Sequence, residues 1–278
     1  MPSTGDEGTS RAVPSEAADV VRAYLRLADD EAPGLVEGLH LVGSVALDEF
    51  RPYASDVDFL AVTGDRLDDA GMAALDRVHR RLRAYRKRPA FDGYYVTWGD
   101  LAADPAVVPA GPASHEGRFA ASPVVRGPVE WHTLAQCGVP CLGPDVAALG
   151  VWTDTDTLRR WVLGNLDTYW GRLRQAGDRL PSPYGLVSLT PQAVVWCVTG
   201  LSRIHYTLVS GMITGKEGGA VHALEAFPSR WERIAREALR IRRRESAGSL
   251  YGTALHRRRD LLAFWDMVYG DAQRIGPR

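Results

Sequence analysis

The texture of the chain changes at Gly150, and that change constrains the fold more than any other feature. Before it, short apolar runs of strand length alternate with amphipathic helical stretches. After it, helical periodicity continues almost without interruption. "LHLVGS" and "DVDFLAVT" read as strands, and "LDDAGMAALDRVHRRLRAY" reads as an amphipathic helix that starts in acidic residues. "DGYYVTWGDL" reads as a third strand running into a turn, and "WHTLAQCGVPCLGP" as a short helix and a strand. An earlier helix, "SEAADVVRAYLRLADD", opens on Ser15 as its cap. Residues 103–128, rich in Pro, Gly and Ala, read as a long irregular loop. Beyond Gly150, "DTDTLRRWVLGNLDTYWGRLRQAG" begins with a capping aspartate, and "TPQAVVWCVTGLSRIHYTLVSG" begins with Thr-Pro, a cap followed by proline at the first helical position. Three more helical segments follow. The expected fold class is α+β: a floppy tail over 1–17, a small mixed sheet with helices over 18–150, and an all-α bundle over 151–278.

The 33 basic and 34 acidic side chains leave a formal net charge of -1, so no global basic field advertises nucleic-acid binding. Cys137, Cys141 and Cys197 are too few for a disulfide framework and read as reduced core residues. The polar, acidic start does not resemble a signal or transit peptide, and no apolar stretch reaches the roughly 18 residues that a membrane helix needs. A cytoplasmic protein with no membrane partner is expected. Trp161, Trp170, Trp196 and Trp265 fall on helical stripes and read as core. The basic runs "RIRRR" (240–244) and "HRRRD" (256–260) read as a solvated helix face or a contact with phosphates.

"GSVALDEFRPYASDVDFLAV" carries the chemistry. On a strand, Asp56 and Asp58 point to one face while Val57 and Phe59 point to the other. Two neighbouring carboxylates repel, and they call for a cation, a basic partner or open water. Gly-Ser at 43–44, a loop over 45–55 and then Asp-x-Asp resembles the signature of the nucleotidyltransferase superfamily. Gly43 lets a backbone approach a phosphate, Ser44 offers it a hydroxyl and an amide, and Ser55 joins them as a nucleotide-binding candidate. Asp56 and Asp58 offer hard oxygen ligands suited to Mg²⁺ already carrying nucleotide phosphates. An ordinary hairpin with aspartates in water is the plainer alternative.

"TGLSRIHYTLVSGMITGKEGGAVHAL" is similar to the C-terminal domain of the streptomycin/spectinomycin adenylyltransferases. The resemblance implies that Arg203 and Lys216 reach the phosphates of ATP, and that AMP passes to a hydroxyl of a small molecule with release of pyrophosphate. In that family a glutamate acts as general base; here the matching residue is Asp92, one methylene shorter, which could instead complete a metal-binding trio or merely begin an Asp-Gly turn. Glu116 falls where a substrate-contacting glutamate lies, but Gly117 replaces the tryptophan after it. Leu189, Thr190, Pro191 and Gln192 stand where the relatives carry an acidic pair, so a polycationic antibiotic is not the expected acceptor. Two other readings stay open: a nucleotide-binding regulatory protein that lost transfer, and a transferase acting on protein or nucleic acid.

Overall fold

The computed structural model describes residues 12–275. In chain order it forms α1 (Ser15–Glu31), β1 (Gly38–Leu41), α2 (Gly43–Ala46), β2 (Val57–Thr63), α3 (Asp69–Tyr85), β3 (Phe91–Thr97), α4 (Trp98–Leu101), β4 (Gly111–His115), β5 (Arg118–Val124), α5 (Pro128–Cys137) and β6 (Val139–Leu142). Helices α6 (Thr155–Asn165), α7 (Gly171–Ala176), α8 (Pro183–Val187), α9 (Pro191–Ser210), α10 (Lys216–Ala226), α11 (Glu232–Arg242) and α12 (Ala254–Ile275) complete it. The fold class is α+β. Two compact units divide the chain: one holds the residues up to Gly99 with Pro109–Val124 and Cys137–Gly150, and the other holds Asp100–Val108, Val125–Gln136 and the chain from Val151 onward.

The first unit is built on a six-stranded mixed sheet in the order β5-β4-β3-β2-β1-β6. Among the described residues only β2 and β3 run parallel; every other neighbouring pair is antiparallel. Helix α3 begins where the Asp68 carboxylate accepts the Gly71 amide at 2.8 Å, and it turns Leu75, Val78 and Leu82 inward beside α1. Phe59 is the centre of this core. Its ring stacks on Phe91 at 4.2 Å between centroids and lies 5.9 Å from Tyr24. Burial of such a ring contributes about 1.5–3 kcal/mol, and Phe59→Ala would cost about 3–5 kcal/mol with its cavity.

One polar chain crosses that core fully satisfied: Tyr24 and Tyr95 share a hydrogen bond at 2.9 Å, and the Tyr95 hydroxyl meets His79 Nε2 at 2.7 Å. Ser114 donates to the Phe91 carbonyl at 2.8 Å. Burial pulls the His79 pKa down to about 4, so the ring stays neutral, as a partnered core histidine should.

Two expectations fail in this unit. The helix expected to start on a Ser15 cap follows Pro14 instead, and the Ser15 hydroxyl bonds the Glu16 carboxylate at 2.8 Å. The floppy tail therefore cannot extend to residue 17, and residues 1–11 lie outside the described part. The expected loop over 103–128 contains β4 and β5, a hairpin paired to β3 through Gly93–Ser114 and Tyr94–Ala113. Its local β signal is weak, and the open edge of β3 supplies the missing hydrogen bonds.

The second unit gathers around α9, which packs against α6, α10, α11 and α12. Thr190 accepts the Ala193 amide at 3.2 Å with Pro191 following, and Asp154 accepts the Thr157 amide at 2.7 Å, so both expected caps form. Trp170 and Trp265 meet edge to face at 5.4 Å in the interior, as the helical stripe implies. Trp161 and Trp196 do not: they are 42% and 58% exposed.

The basic runs are only in part a solvated face: Arg243, Arg244, His256 and Arg259 are exposed, but the others are tied into the fold. Glu237, buried on α11, accepts Arg240 Nε at 2.8 Å and Nη2 at 3.0 Å, the Ser249 hydroxyl at 2.6 Å and the Leu250 amide at 3.0 Å. Arg257 donates to the Leu189 carbonyl at 2.6 Å, and Arg258 donates to Ser188 Oγ at 2.7 Å. These guanidinium groups tie loops to helix ends. Cys197 is buried, while Cys137 and Cys141 are half-buried against the first unit's core; none of the three is in a disulfide among the described residues.

Candidate functional site

The sheet assembles the candidate carboxylates. In the parallel pair β2–β3, Asp58 stands opposite Asp92, and neighbouring strands lie about 4.8 Å apart. Partners in register point to the same face, so both side chains leave the sheet opposite Phe59. Asp56, just before β2, shares that parity. Asp92 is thus a strand residue, and Asp92–Gly93 is not a turn.

Gly43 and Ser44 sit beside them, although not at a strand end as the sequence suggests. Strand β1 stops at Leu41, the Val42 amide donates to the Asp58 carbonyl at 2.9 Å, and Gly43 opens the single turn α2 with φ of 57°. A Cβ on Gly43 would fall 2.0 Å from Asp58 Oδ2, so only glycine lets the carboxylate lie against this backbone. Ser44 Oγ is shut off from solvent and has no hydrogen-bond partner among the described residues. A buried hydroxyl without a partner is costly, and an anion at this turn would supply one.

Asp92 is held from below by a tight turn. Glu116 and Gly117, with φ of 52° and 68°, form the two-residue link of the β4–β5 hairpin. Their amides donate to Asp92 Oδ2 at 2.9 Å and Oδ1 at 2.7 Å. Burial raises the Asp92 pKa above the usual carboxylate value; the two amides oppose it, and the nearby Asp56 charge adds to it. A carboxylate positioned and slightly more basic than usual is a competent proton acceptor.

The other site candidates have different surroundings. Asp56 accepts Arg88 Nη1 at 2.8 Å, a basic partner that sequence inspection missed. Ser55 is buried and accepts the Arg51 amide at 3.0 Å, which fastens the loop before Asp56. Glu116 meets Asp92 through its backbone while its own side chain is exposed. Arg203 and Lys216 belong to the second unit. Arg203 lines a cavity of about 310 Å³ with Trp161, Asn165, Tyr169 and Thr214, and its stem rests on α10, where a Cβ at Gly219 would fall 2.7 Å from Arg203 Cγ. Lys216 is the exposed first residue of α10.

Among the described residues no three acidic, histidine or cysteine side chains form a ready-made metal cluster. Mg²⁺ in nucleotide sites takes one or two carboxylates and completes its shell with phosphates and water. Asp58 against Gly43, with Asp56 nearby, fits that donor set.

No protein-family model matches the chain, and no curated protein matches it in sequence. Structural comparison does find a counterpart. Spectinomycin adenyltransferase AAD(9) from Enterococcus faecialis, solved with ATP and spectinomycin, superposes with a TM-score of 0.64 over 91% of this chain and 99% of that one, at 12% identity. The two share a fold. The resemblance carried by Gly43–Ser44, Asp56–Asp58 and the Leu-Ser-Arg helix therefore extends to the architecture, in which both the mixed sheet and the helical unit are common to the pair.

Proposed function

We propose that this chain is a Mg²⁺-dependent nucleotidyltransferase that moves AMP from ATP to a hydroxyl of a small molecule. The observation that carries the reading is the Asp58–Asp92 pair beside the Gly43–Ser44 turn. It combines a carboxylate for metal, a carboxylate for proton removal and an unpartnered buried hydroxyl within one strand-end cluster. The neighbour of like fold was solved with ATP, which agrees with it.

In this reading the acceptor hydroxyl gives its proton to Asp92 as its oxygen bonds to the α-phosphorus. The bond from that phosphorus to the bridging oxygen breaks, and pyrophosphate leaves. Gly43 and Ser44 grip the phosphates, and the resemblance of the Leu-Ser-Arg helix gives Arg203 and Lys216 as further phosphate ligands. Asp56 and Asp58 would hold Mg²⁺, which offsets the charge building on the phosphoryl oxygens. Replacement of the relatives' acidic pair by Leu189–Gln192 favours a hydroxylated acceptor with little positive charge, because desolvated ammonium groups need carboxylates nearby.

Isotopic pyrophosphate exchange into ATP, run with pools of hydroxylated metabolites and with streptomycin and spectinomycin, tests this. Acceptor-dependent mass gain that vanishes in Asp58→Asn is the expected result. Saturable Mg·ATP binding without exchange or mass gain across the pools would instead favour a nucleotide-binding regulator.

A further inference from the structure

A recess lies in the sheet-bearing unit, lined in part by Gly117 of the turn that holds Asp92. It encloses about 410 Å³ between the last turns of α3 and the start of β5, with Arg80, Arg83, Lys87 and Arg118 on its walls. One carboxylate, Asp76, reaches it, and that group is already 3.3 Å from Arg80. Among the described residues the side chains of Arg83, Lys87 and Arg118 make no hydrogen bond or ion pair.

Basic and acidic residues are nearly equal in number, and several arginines on other surfaces find carboxylates: Arg77 and Arg81 with Glu31, Arg88 with Asp56, Arg174 with Asp266. Here three cations converge on one recess without any. Arg80, Arg83 and Lys87 recur at helical spacing on one side of α3 and its exit, so they repel one another. Cations near a helix C-terminus gain a little from its dipole, which accounts for Arg83. It does not account for Arg118, brought in by a different element. Gly117 lines the recess too, and its φ of 68° is what calls for glycine there; a Cβ would make only ordinary contacts of 3.9 Å with Arg83 Cδ, Ala90 Cβ and Phe91 N. Phe119 gives one apolar wall.

We propose that this recess binds the phosphate of a small phosphate monoester, distinct from the nucleotide site. Guanidinium forks and one ammonium suit a dianionic phosphate, and a ring wall suits the organic body. The concave, small volume favours a metabolite over an extended polyanion, which would need a basic stripe that a chain of net charge -1 does not carry.

Calorimetry at constant ionic strength and without Mg²⁺ tests it, with inorganic phosphate, glucose 6-phosphate, glucose, an oligodeoxynucleotide and polyglutamate as probes. Wild type is expected to bind both phosphate probes saturably and glucose not at all. Binding should tighten between pH 5.5 and 7.5 as the ester's second proton, with pKa near 6, leaves. Arg83→Gln/Arg118→Gln should lose at least about tenfold in affinity while its Tm stays level or rises. Ser44→Ala, which removes a phosphate donor from the nucleotide turn, should bind as wild type does. Four results would overturn the proposal: no saturable phosphate binding, equal binding by the double variant, loss in Ser44→Ala (the phosphate then sits in the nucleotide site), or binding confined to the oligonucleotide or polyglutamate.

Discussion

Asp58 and Asp92 face each other across the parallel β2–β3 pair, one lying against the Gly43 backbone and the other capped by the Glu116 and Gly117 amides. Two carboxylates this near are unequal because their partners differ. Burial and the Asp56 charge make Asp92 more reluctant to ionise than an ordinary aspartate, while the Asp58 carboxylate fills the space that a Cβ on Gly43 would take.

Gly43→Ala tests the close packing of that turn. The substitution adds a Cβ where Asp58 Oδ2 sits and strains a residue with φ of 57°. A loss of about 1–3 kcal/mol in stability is expected from urea titration. The thermal shift on adding Mg·ATP should disappear as well, because Asp58 must rotate away.

Asp92 sets a pH dependence. Its raised pKa means that the folded state holds its proton above pH 3.8, the model-peptide value, so this group withdraws stability as pH rises from there through its folded pKa. A transfer reaction needs the ionised form, so kcat/KM should fall on acidification through that same raised pKa. Asp92→Asn should lower kcat about 10²- to 10⁴-fold with ATP affinity unchanged. A pH–rate profile and ATP calorimetry measure the two effects separately.

Lys216→Ala should weaken ATP more than adenosine. A charge-assisted hydrogen bond contributes about 1.5–3 kcal/mol, so at least about a tenfold rise in Kd for ATP is expected. Equal ATP affinity in the variant would remove Lys216 from the phosphate site.

Glu237 anchors the helical unit. Burial alone would raise its pKa, but Arg240, Ser249 and the Leu250 amide outweigh that and hold it at about 2. The stability it contributes is present above its unfolded value near pH 4.5 and is lost as pH falls toward 2. Glu237→Ala leaves Arg240 facing a buried gap, and a loss of about 3–5 kcal/mol is expected at pH 7. Guanidinium melts at pH 7 and pH 3 should show the difference between wild type and variant shrinking with acid.

Much of the architecture is written locally. Period-two alternation around Asp56 and Asp58 determines which face carries them, and Thr190–Pro191 and Asp154 determine where helices begin, because strand pleat and helix caps depend on residues within a few positions of one another. Pairing partners do not. That Asp92 stands opposite Asp58, that the Glu116–Gly117 turn reaches back to cap it, and that Arg88 meets Asp56 all depend on strand order and register. The β4–β5 hairpin shows the same limit: a stretch rich in Pro, Gly and Ala becomes sheet because β3 offers an unpaired edge. Arg240, Arg257 and Arg258 look like surface charge in one dimension, yet they are fixed by Glu237 and by loop carbonyls far along the chain. Periodicity assigns a side chain to a face; only the packed elements decide what stands on the other side of that face, since desolvation and hydrogen bonding act between groups that the backbone brings together from distant positions.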